Sequence, residues 1–296
     1  MPINHKYRFN IDKLRLCYNQ PTELFSQFAE IKPNTYWDRG DYKLHILGDE
    51  VEETPQQLQV NVLLNDNMLL GYFVFNNSKR YEGFCFFTFN NSALYEFLTT
   101  DGTNKYNLIT LIDYIANDLN LTLNNITEVE VSLDTTINVN AKIRKLIKDY
   151  NNFDMIQNGR KVKDPSRKLE NYCETFSRSR KRLLPQPTLY FEQTKKDAPL
   201  LRIYNKTDEI KSNGNEKEYI TKWNQFGKTS TYRMELRLKN ESIKEFLKTH
   251  RADRPLLDLI QDPAVKEALW AFFADRLIYF RADDGTPIRL IDLITP

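Results

Sequence analysis

Three segments of this 296-residue chain alternate polar and apolar side chains with a period of two, the period of a β-strand. The first is ITEVEVSLD, residues 126–134. Its Glu128, Glu130, Ser132 and Asp134 lie on one face, and Val129, Val131 and Leu133 on the other. The second is LLRIYNK, residues 200–206, which projects Arg202, Tyr204 and Lys206 together. The third is TYRMELRLK, residues 231–239, where Arg233, Glu235 and Arg237 alternate with Met234, Leu236 and Leu238. Chains with this pattern must build sheets that bury one face and crowd charge onto the other.

The charged faces carry chemistry. Carboxylates lined along one strand face repel unless water or a cation separates them. Hard oxygen donors of this kind suit Mg²⁺ or Mn²⁺. The same pattern fits an edge strand with a solvated acidic face. A phenol between two cations is stabilised as phenolate and is placed to meet a phosphate. It also fits a tyrosine on a half-buried strand with solvated basic neighbours, since tyrosine is a favoured strand residue.

TEVEVSLD, RIYNK and RMELR, in that order, resemble the Rep_trans class of plasmid replication initiators, the nicking-closing proteins of small rolling-circle plasmids. That family has an acidic strand T-R-L-D-I-A-x-D, a hairpin ending in R-[IL]-Y-[DN]-K, and a later strand R-[FM]-E-[LI]-R. Thr127, Glu130 and Asp134 match the first pattern. Arg202, Tyr204, Asn205 and Lys206 match the second, and Arg233, Glu235 and Arg237 the third. Glu128 stands where the family has arginine, and Glu130 replaces an aspartate, which shifts the reach of its carboxylate. The resemblance spans residues 126–239; before that it is carried only by the strand IDKLRLCY, residues 11–18.

The resemblance implies a reaction and its parts. Tyr204 would attack one phosphodiester of a supercoiled origin, leaving a 5′-phosphotyrosyl link and a free 3′-hydroxyl. Arg202, Lys206 and Arg233 would be the basic residues of the catalytic group. A metal, Mg²⁺ or Mn²⁺, would be held among Glu130, Asp134 and Glu235. Glu130 and Asp134 are roughly 13 Å apart along a straight strand, too far to share one ion directly, so one would ligate while the other orients a basic residue. The implied partners are double-stranded plasmid origin DNA, its single-stranded nick site, host helicase and polymerase, and a second copy of the chain in a homodimer. Residues 268–280, ALWAFFADRLIYF, are the expected dimer surface, or else they close the core.

Charge placement agrees with a DNA partner. The chain has 42 basic and 40 acidic residues, yet residues 160–206 hold 13 Lys or Arg against 5 Asp or Glu. The densest run, SRSRKR at 177–182, brings Arg178, Arg180, Lys181 and Arg182 to the segment before the tyrosine. Such a cluster binds phosphate backbones through counterion release. Tyr172, Phe176, Tyr190 and Phe191 interleave with it as candidate stacking rings. Two other functions fit these residues: a non-catalytic DNA-binding regulator of replication or excision, and a carboxylate-metal nuclease that uses water and leaves no adduct.

Other chemistries are poorly served. The three histidines, His5, His45 and His250, form no H-x-H pair, which disfavours zinc hydrolases and histidine-pair nicking enzymes. There is no G-x-S-x-G, G-x-G-x-x-G or Walker motif. Mean hydropathy of −0.60 and the lack of a long apolar run predict no membrane span. The polar N-terminus predicts no secretory signal, and three widely spaced cysteines, Cys17, Cys85 and Cys173, predict a reducing cytoplasm.

The expected class is α+β, with antiparallel-rich sheets and flanking helices. Strands are expected at 11–18, 42–47, 58–64, 69–75, 83–89, 128–134 and 231–239. Helices are expected at 21–31, 92–99 capped by Ser92, 105–119, 140–150, 243–250 capped by Ser242, 255–260 and 263–273. Strand, helix, strand order occurs twice, as two related α/β halves would show. The expected division is an N-terminal α/β half at 1–120, a catalytic half at 121–250 and a helical extension at 251–296. Residues 211–217 read as a surface loop.

Overall fold

The computed structural model describes residues 7–47, 57–64, 67–99, 107–165, 173–177, 182–192, 197–212, 214, 216–252 and 255–295. The first elements are β1 (Tyr7–Asn19), α1 (Thr22–Ala29), β2 (Tyr36–Asp38), β3 (Tyr42–Leu47), β4 (Gln57–Leu64), β5 (Leu69–Asn76), β6 (Phe84–Phe89), α2 (Asn91–Thr99) and α3 (Leu108–Asp118). Next come β7 (Thr122–Thr135), α4 (Val139–Lys148), β8 (Phe153–Gln157), β9 (Arg160–Lys161), β10 (Cys173–Ser177), β11 (Arg182–Glu192) and β12 (Leu200–Asn205). Then follow α5 (Lys206–Ser212), α6 (Glu218–Asn224), β13 (Tyr232–Lys239), α7 (Asn240–Thr249), α8 (Leu256–Leu259), α9 (Pro263–Leu277), β14 (Ile278–Ala282) and β15 (Pro287–Ile288). The class is α+β with antiparallel sheets, as expected.

The chain forms two compact units. One comprises Ile11–Val129 with Leu256–Asp258; the other comprises Met1–Asn10, Glu130–Pro255 and Leu259–Pro296.

In the first unit the strand order is β1-β6-β5-β4-β3-β2, each neighbour antiparallel to the next. Period-two alternation explains its core. Leu14, Leu16 and Tyr18 of β1, Phe73 and Phe75 of β5, and Phe87 and Phe89 of β6 are all buried on one face. Phe28 of α1 stands over Phe75 with ring centroids 4.8 Å apart. Burying each such side chain contributes about 1.5–3 kcal/mol. Where β5 passes β6, a Cβ on Gly71 would lie 2.4 Å from the Thr88 carbonyl oxygen and 2.7 Å from Phe87, so only glycine fits. Helix α3 begins where the Asn107 side chain accepts from the backbone N–H of Ile109. In α2 the cap is Asn90, whose side-chain oxygen accepts from the Ser92 N–H at 2.9 Å. Ser92 therefore lies inside the turn it was expected to open.

In the second unit the large sheet runs β10-β11-β12-β13-β7, and a small one runs β15-β14-β8-β9. Helix α9 packs against β12 and β13, and α4 against β12 and β8. Asp262 caps α9 by accepting from the Ala264 N–H, with Pro263 at the first helical position. Helix α7 starts at Asn240, straight out of β13, with no side-chain cap, and Ser242 is buried within its first turn. The expected Ser242 cap is thereby corrected: the helix begins three residues earlier than expected, so the serine is already past the capping position. Leu269, Trp270, Phe273 and Phe280 are buried, the second of the two readings of this stretch, closure of the core rather than a dimer surface. Half-buried Phe272 sits edge-on to Phe246 and under the Arg276 guanidinium. No helix among the described residues is long and apolar enough to cross a membrane.

Candidate active site

Pairing of β12 with β13 sets the site. The strands are antiparallel with Arg202 opposite Glu235 and Tyr204 opposite Arg233. Directly opposed residues share a face, so these four side chains project together. On the other side of β12, Tyr190 of β11 stands opposite Arg202. The strand order places β7 beside β13, which brings the acidic residues of β7 to the same region of the second unit.

The contacts resolve into two groups. In the first, the Tyr204 hydroxyl donates to Glu235 Oε2 at 2.8 Å. Arg202 is ion-paired with the other oxygen of Glu235, and its guanidinium also reaches Glu130 Oε2 at 3.4 Å. Glu130 and Glu235 each present a carboxylate oxygen, the two within 4.8 Å of one another. Tyr204 is half-buried, whereas Glu235 is only 2% exposed. Lys206 begins α5 rather than continuing the strand, and its ammonium still lies 3.5 Å from the Tyr204 oxygen.

The second group is sealed. Arg233 and Asp134 are both 0% exposed. Arg233 donates to Asp134 Oδ1 through Nε at 2.6 Å and to Oδ2 through a terminal nitrogen at 2.7 Å, the planar fork that only arginine offers. The Asn224 amide donates to the same carboxylate at 2.7 Å and the Asn10 amide at 3.5 Å. Both Asp134 oxygens are thus occupied by protein donors. The acidic face of β7 is buried, not solvated as an edge strand would have it; Lys13 of β1 answers Glu128, and Arg202 and Arg233 of later strands answer Glu130 and Asp134.

Sequence reasoning missed Glu209, Asn224 and Asn10. Glu209 Oε2 accepts from Lys206 at 2.8 Å, and its other oxygen lies 3.4 Å from the Lys217 ammonium. Its spacing of three from Lys206 would have revealed the pair had the helix start been known. Nothing in the local pattern marks the two asparagines. Arg178, Arg180 and Lys181 lie outside the described residues. Arg182 opens β11, and its side chain lies outside the described set.

Burial works to raise the Glu209 carboxyl, but Lys206, Lys217 and Arg233 outweigh it and hold the group below its ordinary value of 4.5. A lowered folded value means stabilisation that is complete above the unfolded pKa and lost as pH falls through the folded one. Glu209→Gln is therefore expected to flatten the acid side of the stability profile below about pH 4.5. Urea midpoints measured from pH 3 to pH 7 check this; parallel profiles for the two proteins would contradict it.

No protein-family model matches the chain, and no curated protein matches it. Among solved structures, the chain is similar to a rolling circle replication initiator protein from Geobacillus stearothermophilus. The match has 12% identity and a TM-score of 0.44, covering 95% of this chain and 89% of the other.

Proposed function

We propose that this chain is a rolling-circle replication initiator that nicks and rejoins origin DNA through a 5′-phosphotyrosyl intermediate on Tyr204. The observation that carries the reading is the Tyr204 hydroxyl held 2.8 Å from Glu235 with a buried ammonium, Lys206, 3.5 Å from the same oxygen. A phenol has a pKa near 10 and is a weak nucleophile until its proton is taken and its developing charge answered. Glu235 is placed to accept that proton. Lys206 is placed to stabilise the phenolate. The Tyr204 oxygen then bonds to phosphorus and the 3′ oxygen leaves, to become a hydroxyl. Because the phosphodiester is exchanged rather than hydrolysed, the 3′-hydroxyl can reverse the step and reseal the strand.

The donor set fits a hard divalent cation. Glu130 and Glu235 are the residues that would hold Mg²⁺ or Mn²⁺, which are satisfied by one or two carboxylates plus phosphate oxygens. The ion would polarise the scissile phosphate. Arg202 bridges the same two carboxylates, so it must yield them in part and turn toward the phosphate. Asp134 stays with Arg233 as the residue that orients a base.

Incubation with single-stranded origin oligonucleotide and Mn²⁺, followed by a denaturing gel, tests the reading. A shifted protein band with Mn²⁺ and none with chelator is expected. Glu130→Gln should weaken Mn²⁺ binding read by electron paramagnetic resonance. Cleavage without any protein-linked product would favour a water-using nuclease. Binding without cleavage would favour a non-catalytic regulator.

A further inference from the structure

The register of the first unit assigns every residue of its sheet to one of two faces. One face is the core. Across the other, a single row runs from strand to strand: Tyr36 opposite His45, then Asn61, Tyr72, Thr88 and Arg15. The neighbouring row runs from Gln59 through Val74 to Phe86. Core residues of these strands are buried, whereas Tyr72, Val74, Phe86, Thr88 and Arg15 are half-buried and Gln59 is exposed. Tyr36 is 59% exposed, and its ring stacks on His45 with centroids 4.3 Å apart and planes 7° from parallel. The Arg15 guanidinium lies over the Phe86 ring at 4.6 Å.

A sheet face that meets only water carries charged and small polar side chains. This one carries rings, amides and cations. The four strands β3 to β6, sequences YKLHIL, QLQVNVLL, LLGYFVFN and FCFFTF, contain no aspartate or glutamate. Asp38 on β2 lies opposite Lys43, Glu128 on β7 is paired with Lys13, Asp12 of β1 accepts from the Tyr95 hydroxyl, and exposed Glu82 lies in the turn between β5 and β6. Aromatic rings on a sheet, with cations beside them and no carboxylate on β3 to β6, match the chemistry of unpaired nucleotides: bases stack on the rings and phosphates meet the cations. Duplex DNA hides its base faces and has no use for exposed rings.

We propose that this face binds single-stranded DNA by stacking bases on Tyr72 and Phe86, with Arg15 and Lys43 along the backbone. The choice of DNA over RNA rests on the proposed initiator function; the surface itself rests on the register.

Fluorescence anisotropy with labelled oligo(dT) and the full chain tests it. Tyr72→Leu and Phe86→Leu remove the stacking ring while keeping an apolar side chain of similar reach. Each is expected to weaken oligo(dT) binding about 5-fold or more, and the pair more than either. Covalent adduct yield on a nick-site oligonucleotide at saturating concentration should stay at the parent level. Circular dichroism confirms folding of both variants. Parent-level oligo(dT) affinity in folded variants overturns the proposal. So does a fall in scattering mass in the variants alone, which would assign the face to a second copy of the chain. Weakened oligo(dT) binding with no adduct in any protein, parent included, would sink the nicking reading and leave this surface standing.

Discussion

Tyr204→Phe is expected to lower covalent capture of DNA by about 10⁴-fold or more, the scale on which loss of a covalent nucleophile acts. The variant removes one oxygen. It deletes the donor to Glu235 and the atom that faces Lys206, and it keeps the ring in its half-buried place on β12. Folding and non-covalent DNA binding should stay at parent levels, because the aromatic ring keeps its place on β12 and only the hydroxyl that faces Glu235 and Lys206 is lost. Denaturing gels for the adduct and anisotropy for binding read the two separately. A Phe variant that still forms adduct would move the chemistry to another tyrosine. Tyr190 is the first to test, since it stands opposite Arg202 on the neighbouring strand.

Asp134→Ala is expected to act on stability instead. It takes two hydrogen-bonded carboxylate oxygens from a fully buried guanidinium and removes an acceptor from the Asn224 and Asn10 amides. Breaking one side of a buried pair costs about 3–5 kcal/mol, because the remaining charge is stranded away from water. Urea unfolding should show that loss equally with Mn²⁺ and with chelator. The double variant Asp134→Leu with Arg233→Met should recover much of it, since the uncompensated charge is then gone. A single variant as stable as the parent would show that Arg233 is not dependent on this carboxylate. A loss seen only with Mn²⁺ would return Asp134 to the metal.

Alternation made the large strands legible. The segments around Glu130, Tyr204 and Glu235 each carry the period of two, and β3 to β6 announce themselves by apolar and aromatic density. The interior position of β7 was not legible. Its carboxylates look solvated until the bases that answer them are known, and those are far off in the chain: Lys13 for Glu128, Arg202, 72 residues after Glu130, and Arg233, 99 after Asp134. Strand β9 has two residues and β15 two, too few for any period to show. Lys206 was read as part of a strand, but the chain turns there into α5, where Glu209 can meet it. Alternation could say that Asp134 and Arg233 lie on charged faces. Only the register could say that they meet.

The most direct measurement is mass spectrometry of the covalent complex after nuclease trimming and proteolysis. A nucleotide remnant, joined through its 5′-phosphate, is expected on the peptide that contains Tyr204. A remnant on a peptide containing Tyr190, or origin DNA cut with no remnant on any peptide, would contradict it.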